Sequence, residues 1–155
     1  MNQNLKNAKP GISSLILLFT LCSANLFAQI QTDRSLVLQE CVNMYELRQH
    51  LSGGDPNADG PVYVVPAPEE PLPEGTGLTS FGRRVEPVTE AGIHERMIGA
   101  FFRFSKLEIS GHSGTAVFSY IFNYDFSNNS HSTIEVTAEL EKTPNGWSIT
   151  KKTLK

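Results

Sequence analysis

The chain is short of the features that would settle its class at once. It holds two cysteines in 155 residues and a single tryptophan. Only Cys41 follows the first 28 residues, which excludes an intramolecular disulfide beyond them; a lone thiol there is either buried or pairs with another molecule. Basic residues are outnumbered, 13 Lys and Arg against 16 Asp and Glu. No basic stripe with interleaved aromatics occurs, so nucleic acid is not an expected partner. After Cys22 no apolar run approaches the roughly 20 residues that a bilayer-spanning helix needs, and no transmembrane segment is expected. There is no phosphate loop, dinucleotide fingerprint or paired-cysteine zinc motif. His50, His94, His112 and His131 stand apart without ligand spacing.

What is present begins with a leader. Lys6 and Lys9 precede an apolar run, Ile12 to Cys22, that ends in small residues, the pattern of a secretory signal peptide over residues 1–28. Cleavage is expected after Ala28, with Ala24 as the other site. The ending Leu26-Phe27-Ala28-Gln29 resembles the signal-peptide ends of Bacteroidota exports. Lipid anchoring at Cys22 is the rival, although Leu21 stands where a lipoprotein signal wants a small residue. Without the leader 11 basic residues face 16 acidic ones, a net charge of −5. A periplasmic or extracellular location follows, and residues 29–155 have the length of one domain.

Within that domain, Val37, Leu38, Cys41, Val42, Met44, Tyr45 and Leu51 recur at helical intervals after the capping residues Thr32 and Asp33, which predicts a helix over 34–52 ended by Gly53-Gly54. Cys41 lies in its apolar stripe and reads as a core residue. Residues 53–87 hold seven of the nine prolines and six of the twelve glycines and read as a long loop with one edge strand at Val62 to Val65. A second, shorter helix is expected from about Thr89. Phe102 and Phe104 are out of phase with Leu107 and Ile109, which a bulge near Ser105 would reconcile. Apolar alternation then runs through Ala116, Phe118, Tyr120, Phe122, Tyr124 and Phe126, and through Ile134, Val136, Ala138 and Leu140, with turns at 111–114, 127–130 and 143–146. The fold class read from this is α+β, an N-terminal helix packed on a four- to five-strand antiparallel meander.

Two patterns carry chemistry. Asp55, Asn57 and Asp59 alternate oxygen side chains before Gly60 and Val62, resembling the first two-thirds of an EF-hand calcium loop, with Pro66 where that loop has its bidentate Glu. Ordinary turn formation is the leading reading and no cofactor is expected; calcium, with Asp55, Asn57 and Asp59 as ligands, is the alternative. The second pattern is aromatic. Phe118, Tyr120, Phe122, Tyr124 and Phe126 would share one strand face as core; on a curved, partly filled sheet, Arg103, Tyr120 and Tyr124 would instead line a ligand pocket.

The order helix, irregular strand, helix and antiparallel meander ending in Asn145-Gly146-Trp147-Ser148-Ile149 resembles the later part of the cystatin-like and nuclear transport factor 2-like folds over residues 89–155. That resemblance implies either a conical cavity holding a small ligand or a domain that only binds partners; it places no acid–base residue here. The expectation is an exported, noncatalytic domain that binds a protein, peptide or glycan. A cavity protein that binds or transforms a small molecule is the alternative, and a calcium-stabilised structural domain is a third.

Overall fold

The computed structural model describes residues 29, 31–51, 60–68, 72 and 77–155. The leader over 1–28 lies outside these residues. Helix α1 covers 31–42 and α2 covers Tyr45–Leu51. Strands β1 (Val62–Val65), β2 (Thr79–Ser80) and β3 (Arg83–Pro87) follow, then α3 (Glu90–Glu95). The chain finishes with β4 (Phe101–Ser110), β5 (Ser113–Asp125), β6 (Ser130–Thr143) and β7 (Gly146–Leu154). No helix among the described residues is long and apolar enough to cross a membrane.

The seven strands form one mixed sheet in the order β2-β3-β1-β4-β5-β6-β7, curled into a half-barrel. This overturns the expected helix on a four- to five-strand antiparallel meander. Strand β1 lies parallel to both β3 and β4, with Val64 opposite Pro87 on one side and Phe102 on the other. Its four residues are all buried, as a strand covered on both faces requires. The prolines that made it look like an edge, Pro61 and Pro66, sit outside its ends, where a missing N–H costs no ladder bond. The segment read as a loop therefore supplies three of the seven strands.

The first helix is also shorter than expected. After Val42 the chain leaves the helix at Asn43 and Met44 and restarts as α2. The break shifts the buried stripe to Met44, Leu47 and Leu51, and Tyr45, expected on the apolar face, is 77% exposed. Asn43 spends its side chain elsewhere, accepting from the Phe81 N–H at 2.9 Å.

Hairpin chemistry sets the strand ends. Gly111 takes φ 60 at the first central position between the paired Ser110 and Ser113, the requirement of a type II′ turn. The register of β4 on β5 shifts between Phe104 and Lys106, so Phe102, Phe104 and Leu107 all reach the same core. Thr89 caps α3, its hydroxyl accepting from the Gly92 N–H at 3.0 Å. The helix closes with two backbone bonds, Ile98 N–H to the Ile93 carbonyl and Met97 N–H to the His94 carbonyl. That is a Schellman close, with Met97 in the left-handed position, φ 51, that glycine usually fills.

Two apolar layers result. On the α1 side, Val37, Leu38, Cys41, Val42 and Leu47 pack on Val64, Phe102, Phe104, Phe118, Tyr120, Val136 and Leu140. Burial there pushes the Cys41 thiol up to about 12, so it stays protonated and inert. Asp33 pins α1 to the far end of the sheet: its carboxylate accepts from Lys142 Nζ at 2.7 and 2.8 Å and from Trp147 Nε1 at 3.0 Å. The thinner layer under α3 joins Tyr63, Val65, Val88, Ile93, Ile98, Phe101 and Ile121.

Candidate functional site

The three expected binding residues do not meet. Tyr120 points to the α1 side, 1% exposed, with the Phe102 ring 4.8 Å and the Phe122 ring 5.5 Å from its own. Its hydroxyl donates to the His50 carbonyl at 3.3 Å. Tyr124 and Arg103 lie on the opposite face, about Phe101: the Tyr124 ring is 6.2 Å from it and the Arg103 guanidinium carbon 5.2 Å above it. The reason is a bulge. Asn123 takes φ 53 and the β5–β6 register shifts between Phe122 and Asp125, which turns Tyr124 and Phe126 away from the face that carries Phe118, Tyr120 and Phe122. The displaced backbone is held by the Tyr124 N–H on the Gly99 carbonyl at 3.1 Å. The expected run of five aromatics on one face is thus split between the two layers.

The α3 side gathers two sets of groups around that bulge. One is aromatic: His94 meets Tyr124 and Phe126 edge-on at 5.9 and 5.8 Å, and His131 stacks on Tyr124 at 5.2 Å, nearly parallel. The Tyr124 hydroxyl donates to Asn129 Oδ1. Tyr124 and Phe126 are half-buried, while His94 and His131 are exposed. The other set is ionic. Glu90 holds Arg103 through two bonds, 2.6 Å to Nε and 2.8 Å to Nη2, the fork geometry that fixes a guanidinium plane. Glu86 accepts from Arg84 and Arg96, each at 2.8 Å. Arg96 also donates to the Tyr63 hydroxyl at 2.9 Å and lies 4.7 Å over that ring. The bond from Glu86 raises the Arg96 pKa, with Tyr63 adding to it against a smaller desolvation. Three guanidiniums thus share two carboxylates.

Helix α3 joins the two sets because Glu90 and His94, four residues apart, stand one turn above each other. Ring faces, cations seated over rings and carboxylate–guanidinium pairs provide the chemistry of recognition, in which a ligand can replace one partner of a pair. Sequence spacing could not reveal this cluster, since Arg103, Tyr124 and His131 are brought together by strand pairing. The remaining expected site residues, Asp55, Asn57 and Asp59, lie outside the described residues. Among the described residues no group of three or more His, Cys, Asp or Glu could hold a metal ion. Comparisons of the chain with known protein families, with curated proteins and with solved structures give no match.

Proposed function

We propose that this chain is an exported, noncatalytic binding domain whose α3 side meets a protein, peptide or glycan partner. The observation that carries the reading is the division of its tyrosines. Tyr120, which a central pocket would need, is buried against the rings of Phe102 and Phe122, with its hydroxyl already engaged. Tyr124 stands at the surface with His94, His131 and the Glu90–Arg103 pair. Aromatic residues and Arg are enriched where proteins meet partners. Peptide and glycan arrays probed with the chain and with its Tyr124→Ala, His131→Ala double variant test the reading. Retention on a defined ligand class that the double variant loses supports it, and equal retention by both forms contradicts it.

A further inference from the structure

The last hairpin turns on the one Asn-Gly pair of the chain, Asn145-Gly146. Pro144 and Asn145 reverse the backbone between the paired Thr143 and Gly146, and Gly146 completes the reversal at φ 120, a conformation open to glycine. Thr143 Oγ1 braces the backbone here: it accepts from the Asn145 N–H at 3.3 Å and donates to the Gly146 carbonyl at 2.9 Å. The Asn145 carboxamide is left out of this arrangement. It is exposed and makes no hydrogen bond among the described residues. Asn43, Asn128 and Asn129 differ, for each has its Oδ1 engaged, by the Phe81 N–H, the Ser130 N–H and the Tyr124 hydroxyl. A side-chain carbon added at Gly146 would meet nothing within 4 Å, so the space beside it is open to the carboxamide and to water.

A carboxamide next to the following residue's backbone nitrogen can close a five-membered ring without a catalyst, because the reacting atoms are already tethered. The Gly146 nitrogen gives its proton to solvent and bonds to Asn145 Cγ; the Cγ–Nδ2 bond breaks, and ammonia leaves with a proton taken from solvent. Water then opens the succinimide at either carbonyl, to aspartate or to isoaspartate, with no change in oxidation state. The pairing of Thr143 with Gly146 has to open for this, and the terminal rung of a hairpin is where a ladder opens most easily. In the isoaspartyl product the main chain runs through the side-chain carbon and is one atom longer. The next rung pairs Lys142 with Trp147, the two residues that hold the Asp33 carboxylate and through it α1. We propose that Asn145 is a site of spontaneous succinimide formation, and that its isoaspartyl product loosens the attachment of α1 by displacing Lys142 and Trp147. None of the α3-side residues takes part, so the site stands or falls apart from the binding reading.

Incubation of the chain in mildly alkaline buffer, with peptide mass mapping and isoaspartate measured by methyltransferase labelling, tests it. Conversion in the peptide 143–151 should run about tenfold faster than at Asn43, Asn123, Asn128 or Asn129. Asn145→Gln, whose longer amide closes a ring far more slowly, should remove that signal while keeping the wild-type thermal midpoint. The isolated isoaspartyl protein should unfold at lower urea than the wild type and exchange its Lys142 and Trp147 amides faster. Asn145→Asp, which gains charge but no extra atom, should stay near the wild type. Failure of Asn145 to convert, or conversion no faster than at the other asparagines, overturns the site; isoaspartyl protein as stable as Asn145→Asp overturns the link to α1.

Discussion

The two faces of the sheet are built from the same strands and do different work. On the α1 side, alternate residues of β4, β5 and β6 send large rings and branched chains into a layer closed by α1 and α2, and Phe102, Phe118, Tyr120 and Leu140 are at most 1% exposed. On the α3 side a six-residue helix covers only part of the sheet, and its margin is finished with salt bridges and half-buried rings. One face supplies stability, the other leaves chemistry accessible. The bulge at Asn123 connects them, for it moves two aromatics from the stable layer to the accessible one.

Truncation should separate the faces most sharply. Phe118→Ala opens a hole in the closed layer, stacked 4.8 Å from Phe104, and should cost about 3–5 kcal/mol in urea unfolding. Phe126→Ala, half-buried at the α3 margin, should cost about 1 kcal/mol. Equal costs would erase the contrast.

The Asp33 staple comes next. Asp33→Asn leaves the half-buried Lys142 and the buried Trp147 poorly matched and should cost about 2 kcal/mol at neutral pH. Burial raises the Asp33 pKa, but the hydrogen bonds from Lys142 and Trp147, aided by the charges of Lys142 and His112, together outweigh it and hold the carboxyl below its ordinary value. A depressed folded pKa adds stability that is present above the unfolded value, near 4, and is lost as pH falls through the folded one. The gap between the wild type and Asp33→Asn should therefore narrow below about pH 4, read from urea midpoints across pH.

Smaller effects are expected at the α3 side. Met97→Gly, at the exposed left-handed close of α3, should stabilise by about 1 kcal/mol, seen as a higher thermal midpoint. Arg103→Ala removes a bond pair to Glu90 between two well-exposed side chains and should cost less than about 1 kcal/mol.

The sequence made the hairpins of the last fifty residues legible because period-two alternation and turn residues are local signals. The type II′ turn at Gly111, the Thr89 cap and the shift near Ser105 could all be placed from neighbours in the chain. Strand β1 was legible as a strand but read as an edge, because its central position depends on parallel partners at Val85 and Phe101, each more than 20 residues away. The break at Asn43 was hidden for the same reason, since its side chain serves Phe81 N–H across 38 residues. The candidate site was half legible: Arg103 and Tyr124 were named, but Tyr120 was grouped with them because alternation carries no mark of the left-handed turn at Asn123. A Phe-Gly pair at 81–82 was a weak turn signal, read only as part of a loop.

Nitration by tetranitromethane, located by peptide mass mapping on the native chain, measures the division of the faces residue by residue. Tyr45 should react first and Tyr124 next, while Tyr120 is spared until the protein unfolds. Modification of Tyr120 in the folded chain as fast as Tyr124 would show that the α1 side is open and would contradict the account.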